Sequence, residues 1–158
     1  MYQRILVPVD GSETSNQGLD EAIKLAQLTG AELRLIHVID VLSFTTGYEP
    51  YSLYTIDVIP LIREAGERIL EEGKKRAKAH GLKVDCLLFD ILANRVSDTV
   101  VEQAKAWRAD LIVIGTHGRR GMKRLLLGSD AEQILRIAPV PVLLVRAVAV
   151  ENRSGATT

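Results

Sequence analysis

The chain has 158 residues, of which 47% are hydrophobic and 25% charged, and its basic and acidic side chains are equal in number at 20 each. This length and composition predict one soluble globular domain with a sizeable core. The balanced charge excludes a general electrostatic attraction to nucleic acid or to a membrane surface.

The first apolar stretch, Met1 to Val9, is too short for a secretory core or a spanning helix, so no direct membrane insertion is expected. The single cysteine, Cys86, cannot form an internal disulfide and lies in an apolar run, where a thiol packs as a small hydrophobe. A cytoplasmic location is therefore predicted.

Short apolar runs alternate with segments of helical periodicity along the chain. The predicted strands are Ile5 to Val9, Leu33 to Ile39, Cys86 to Phe89, Leu111 to Gly115 and Val140 to Val145. The predicted helices carry their apolar side chains over Leu19 to Ala26, Ile62 to Ile69, Val96 to Ala104 and Ala131 to Ala138. This alternation predicts a doubly wound α/β fold, in which a five-stranded, mainly parallel sheet has helices on both faces, as in Rossmann-like folds.

Two segments fit no regular element. Asp40 to Pro60 has no clear period and holds most of the aromatic residues, which predicts a long loop with either a binding role or none beyond surface packing. Residues 1–147 form the predicted single domain, and the small and polar residues 148–158 are expected to be a disordered tail.

The first candidate site follows the first strand, at Asp10, Gly11 and Ser12. These residues are typical of an ordinary turn in which Ser12 or Thr14 caps the first helix, and also of a loop that contacts a ligand. In open parallel sheets, ligands bind beyond the carboxyl ends of strands where the winding reverses. Asp10 and Gly115 both lie at such strand ends.

The second candidate site begins at Gly115, Thr116, His117 and Gly118 and resumes after nine residues at Gly128 and Ser129. Glycines there allow the backbone to approach a phosphate closely. Ser129 to Glu132 matches a capping box, so Ser129 is the predicted N-cap of a helix whose N-terminus favours anions. The alternative interpretation is a solvated loop with a run of charge; nucleic-acid binding is not expected, because no aromatic residues interleave with the basic ones.

The spacing of Gly115, Gly118, Gly128 and Ser129 resembles the Gx2Gx9G[ST] pattern of the ATP-binding branch of the universal stress protein family. The similarity extends over nearly the whole chain, through the segments RILVPVDGS, LIHVID, ADLIVIGTHGRRG and PVPVLLVR. One departure is Asn94-Arg95-Val96, where the family often has GxP. The resemblance implies a fold like that of the adenine nucleotide alpha-hydrolases.

The resemblance also implies roles for individual residues. Asp10 would hold the ribose or a phosphate-side group, beside Ser12, and the Val38 backbone would contact adenine in a pocket lined by Pro8 and Val9. The phosphates of ATP, or of AMP or ADP, with Mg²⁺ or Mn²⁺ as an accompanying ion, would lie against the glycine-rich segment. Its residues are Gly115, Thr116, His117, Gly118, Arg119, Arg120, Gly121, Gly128, Ser129 and Asp130.

Family members pair through the last strand, so the resemblance implies a homodimer through Val140 to Val145, with higher oligomers left open. It further implies a nucleotide-dependent module of the stress response, read by an unknown regulatory protein. The alternative is a slow ATPase or an autophosphorylating enzyme that uses the same site. Binding is preferred over turnover, because the chain has no Walker lysine motif and no kinase signature.

Overall fold

A computed structural model describes residues 1–42, 58–116 and 127–146. Over these residues strands and helices alternate strictly. In chain order they are β1 (Arg4–Pro8), α1 (Glu13–Thr29), β2 (Glu32–Asp40), α2 (Val58–Ala79), β3 (Val84–Ile91), α3 (Val96–Trp107), β4 (Leu111–Gly115), α4 (Ser129–Ile137) and β5 (Val142–Val145).

The five strands form one sheet in the order β3-β2-β1-β4-β5, and every neighbouring pair is parallel. The chain winds from β1 through β2 to β3, returns to β4 on the other side of β1, and continues to β5. This confirms the predicted α/β fold with its parallel sheet. The winding reverses between β1 and β4, so the carboxyl ends of these strands frame the switch point of the fold.

Helices cover both faces of the sheet and bury two apolar layers. Leu19 of α1 and Leu70 of α2 pack with Val7 of β1 on one face. Val100 of α3 and Ile134 of α4 pack on the other face. Because both faces of the central strands are covered, their sequences are apolar throughout rather than alternating.

Several predicted boundaries are wrong by a few residues. Asp40 belongs to β2 and α2 begins at Val58, so the segment predicted as a loop is regular at both ends. Pro60 falls in the first turn of α2, where a helix tolerates the missing N–H. The last strand begins at Val142, after Pro141, rather than at Val140.

Some expectations concern other parts of the chain. Residues 43–57 of the predicted loop and the predicted tail at 148–158 lie outside the described residues. Among the helices described above, none combines the length and apolar character that crossing a membrane requires.

Candidate functional site

The turn that follows β1 holds Asp10 in a defined position. The Ser12 backbone N–H donates a hydrogen bond to Asp10 Oδ1 at 2.9 Å, and the Asp10 N–H donates to Ser15 Oγ at 3.0 Å. Gly11, between Asp10 and Ser12, has φ +79°, a backbone conformation that residues other than glycine rarely adopt. The Asp10 carboxylate is therefore fixed at the carboxyl end of β1, on the rim of the switch point.

The same turn starts α1. Ser12 is the N-cap, and its Oγ accepts a hydrogen bond from the Ser15 N–H at 3.2 Å. Of the two residues that the sequence offered as the cap, Ser12 and Thr14, the structure has Ser12 in that position. Ser12 and Ser15 thus have structural roles that join the Asp10 turn to the helix.

Gly115, at the end of β4, lies against the first turn of α1. A Cβ atom on Gly115 would approach the backbone C and O atoms of Thr14 to 2.6 Å and the Ser15 nitrogen to 2.9 Å. Gly18 of α1 faces the same point, since its own Cβ would lie 3.2 Å from the Gly115 nitrogen. This close backbone packing accounts for glycine at position 115, and the contact of Gly115 with phosphate stays a prediction.

The start of α4 differs from the predicted capping box. The N-cap is Gly128, in an extended conformation with φ −61° and ψ 149°, and a glycine has no side chain with which to cap the helix. The first helical hydrogen bond runs from the Glu132 N–H to the Gly128 carbonyl at 2.9 Å, which makes Ser129 the first helical residue. The prediction of Ser129 as N-cap is therefore wrong, because the helix begins one residue earlier than the capping box requires.

The first turn of α4 is tied to the end of β4. The Gly128 N–H donates to the Thr116 carbonyl at 2.8 Å, and the Thr116 N–H donates to the Val145 carbonyl at 3.0 Å. The N–H groups at the start of an α-helix have no acceptor within the helix itself, and they point outward along its axis. This end of α4 therefore brings backbone donors to the β4 side of the switch point, next to the exposed side chains of Ser129 and Asp130.

The opposite side of the site is formed by β2. The Val9 N–H donates to the Ile36 carbonyl at 2.8 Å, and His37 Nδ1 lies 2.7 Å from the Val9 carbonyl oxygen. Val38 lies beyond the last paired residue of β1, where its backbone groups face the space past the end of that strand. The position fits the predicted contact of the Val38 backbone with a flat heterocycle.

The fold brings the described members of the predicted site to one edge of the sheet. These members are Pro8, Val9, Asp10, Ser12, Val38, Gly115, Thr116, Gly128, Ser129 and Asp130. The remaining predicted members, His117, Gly118, Arg119, Arg120 and Gly121, lie outside the described residues.

Sequence reasoning missed Ser15, Gly18 and His37. The position of Ser15, three residues after the N-cap, was an available signal, whereas Gly18 and His37 act through contacts that only the packing reveals. Within residues 1–42, 58–116 and 127–146 no three His, Cys, Asp or Glu side chains are grouped as a metal site.

Comparison with known proteins gives consistent matches. A model of the universal stress protein family matches residues 1–146. A universal stress protein of Methanocaldococcus jannaschii is 36% identical over 146 residues, covering 92% of this chain and 83% of the relative. Among solved structures, a member of that family from Burkholderia pseudomallei is 34% identical with a TM-score of 0.72, covering 92% of this chain and 97% of the other. A universal stress protein in complex with cAMP is 28% identical with a TM-score of 0.64, at the same coverage of 92% and 97%.

Proposed function

We propose that this chain, which belongs to the universal stress protein family, binds an adenine nucleotide at the carboxyl edge of its sheet, between β1 and β4. The observation that carries the proposal is that two fixed elements follow neighbouring strands of the sheet: the Asp10 turn, held by Ser12 and Ser15, after β1, and the first turn of α4, tied to Thr116, after β4. The relative in complex with cAMP supports the choice of an adenine nucleotide.

Each part of the site suits one part of the nucleotide. The Val38 backbone offers a donor and an acceptor to the adenine edge, and the Asp10 carboxylate accepts hydrogen bonds from ribose hydroxyl groups. The N-terminus of α4 faces the phosphates. We propose ATP as the ligand, with its longer phosphate chain running along the segment from Gly115 to Gly121.

The negative charge in the first turn of α4 favours a metal ion beside the phosphates. Asp130 and Glu132 both lie in the first turn, where their carboxylates complement the helix dipole and repel phosphate. Cations are needed to offset that repulsion, and we assign this role to Arg119 and Arg120 together with Mg²⁺ or Mn²⁺ bound to the phosphate oxygens.

We further propose that the protein works as a regulatory module in the cytoplasm, whose nucleotide state is read by a partner protein. Two copies pair through β5, which is the last strand in the order of the sheet. Binding rather than turnover is the central activity. Release of phosphate or labelling of the protein by ATP would instead identify the slow ATPase or autophosphorylating alternative.

The test is to denature freshly purified protein and identify the released nucleotide by chromatography and mass. Its key variant is Asp10→Asn, which keeps the Oδ1 atom that accepts from the Ser12 N–H but loses the carboxylate charge. We expect the variant to fold and to bind added ATP more weakly by roughly tenfold to a hundredfold, as for a lost hydrogen bond to a charged group.

The matched control is Glu102→Gln, the same change of a carboxylate to an amide at an exposed position of α3. It should bind as the unaltered protein does. An unaltered protein that carries no nucleotide and binds none when it is added would contradict the proposal. Equal affinity in Asp10→Asn would remove Asp10 from the site.

A further inference from the structure

The ladder of backbone hydrogen bonds between β1 and β2 stops at Val9, although β2 continues to Asp40. The bond from the Val9 N–H to the Ile36 carbonyl completes the pairing of Pro8 with Ile36. In a continued parallel ladder the next bond would run from the Val38 N–H to the Val9 carbonyl. Among the described residues no backbone bond joins these two groups. The Val9 carbonyl is instead 2.7 Å from Nδ1 of His37.

The His37 ring is fixed as the donor to this carbonyl. A carbonyl oxygen only accepts hydrogen bonds, so Nδ1 must carry the hydrogen. The side chain is 6% exposed and lies directly under α2, since a Cβ on Gly66 would be 2.7 Å from His37 Cδ2 and 3.2 Å from Nε2. Gly66 thus provides the space in which the ring lies, and the ring reaches over the end of β1.

The direction of the Val38 backbone follows from the same ladder. Alternate residues of a strand point their N–H and C=O groups toward the same neighbour. Because the Ile36 carbonyl bonds to β1, the N–H and C=O of Val38 point to the same side, past the last bond of β1. A pairing with Val9 would consume the Val38 N–H.

We propose that His37 is a positioning residue that ends the ladder at Val9 and thereby keeps the Val38 N–H available for the adenine ring. This proposal rests on the proposed function, and it explains how the nucleotide site selects adenine over other bases. Adenine presents an amino donor beside a ring-nitrogen acceptor, and these match the C=O and the N–H of Val38. Hypoxanthine presents the opposite pattern, an oxygen acceptor beside an N–H donor, so an intact Val38 edge distinguishes ATP from ITP.

The test compares His37→Leu, which has no donor, with His37→Asn, whose side-chain amide can replace Nδ1. Amide hydrogen exchange is measured at Val38 in nucleotide-free protein. In His37→Leu the Val38 N–H is expected to pair with the Val9 carbonyl, so its exchange slows by roughly tenfold or more, while His37→Asn exchanges as the unaltered protein does. His80→Leu, at an exposed histidine beyond the end of α2, is the matched control and should change nothing.

Nucleotide affinity provides the second measurement. We expect His37→Leu to weaken ATP binding by roughly tenfold and to leave ITP binding nearly unchanged, so that the ratio of the two affinities falls. A merely structural role of His37 would lower both affinities together. Unchanged Val38 exchange, or an unchanged ratio, in a folded His37→Leu variant would overturn the proposal.

Thermal unfolding of each variant shows whether it folds. Where His37→Leu does not fold, Gly66→Ala gives the same test, because its methyl group displaces the ring from the side of α2. If the unaltered protein binds neither nucleotide, the proposed function fails and the adenine part of this proposal fails with it. The Val38 exchange rates then still decide whether His37 ends the ladder.

Discussion

Gly115 stands where the end of β4 touches the backbone of α1, and its lack of a side chain allows that contact. We predict that Gly115→Ala destabilises the fold by about 1–3 kcal/mol, because the new Cβ meets Thr14 backbone atoms at 2.6 Å and the helix must shift. Urea unfolding measures the change in the free energy of unfolding.

Gly73 is the matched control for this substitution. A Cβ there would approach only the ends of Leu35 and Leu19, at 2.8 Å and 3.2 Å, and these side-chain methyl groups can turn away. Alanine also suits the interior of α2 better than glycine, by roughly 0.5–1 kcal/mol. Gly73→Ala should therefore change stability little. A Gly115→Ala variant that keeps full stability and loses only nucleotide binding would show that glycine is needed there for the ligand.

Single residues differ in how far the sequence could predict them. The cysteine was expected to be an inert core residue, and the structure agrees: burial raises the pKa of the Cys86 thiol from 9.0 to about 11, and Sγ donates to the Leu70 carbonyl at 3.7 Å. No sequence pattern indicates a role for His37. Its contact with Val9 joins residues 28 positions apart in the sequence, and no local pattern encodes such a contact.

At the scale of elements, the two helices that begin at the switch point start in different ways. Ser12 caps α1 with its side chain, whereas the N-cap of α4 is Gly128, which has no side chain. We predict that Ser12→Ala lowers the free energy of unfolding by about 1 kcal/mol, the usual cost of a lost N-cap. Ser129→Ala should stay within about 0.5 kcal/mol, because an exposed residue inside the first turn makes no cap.

Chemical denaturation of both variants in the absence of nucleotide measures these costs apart from any ligand effect. If Ser129→Ala lost more unfolding free energy than Ser12→Ala, Ser129 would be the cap of α4, as the sequence predicted. The sequence pattern Ser-x-x-Glu does not distinguish a helix capped by Ser129 from one capped by Gly128. It specifies residue types and not the backbone angles of the preceding glycine. The starts of α2 at Val58 and of β5 at Val142 were predicted wrongly for a related reason. A proline near the start of an element locates that start only to within a few residues.

At the scale of the whole molecule, topology was the most predictable property. Apolar runs alternating with helical segments leave few arrangements once crossovers are right-handed, and the β3-β2-β1-β4-β5 order is one of them. The same order places Asp10 and Gly115 at neighbouring strand ends, so the sheet edge that carries the candidate site could also be predicted. The contacts that shape the site within that edge depend on packing between distant segments and could not.

The dimer proposed through β5 depends on which groups this strand turns outward. The carbonyl groups of Pro141 and Val145 bond to β4, through the N–H groups of Ile112 and Thr116 at 3.0 Å each. By alternation, Leu144 turns its N–H and C=O away from β4, toward the side where we propose that a second copy pairs. The side chains of all four β5 residues are partly buried, so the strand also packs through its side chains.

We predict that Leu144→Pro shifts the protein from dimer to monomer, because proline removes an outward N–H while leaving the bonds to β4 in place. Two-fold symmetry removes the bond twice, so the dissociation constant should rise by roughly tenfold to a hundredfold. Size-exclusion chromatography with light scattering over a range of concentrations measures the shift. Leu144→Thr loses similar packing but keeps its N–H, and it should remain dimeric; a monomeric threonine variant would mean that side-chain packing, and not pairing of strand edges, holds the two copies together.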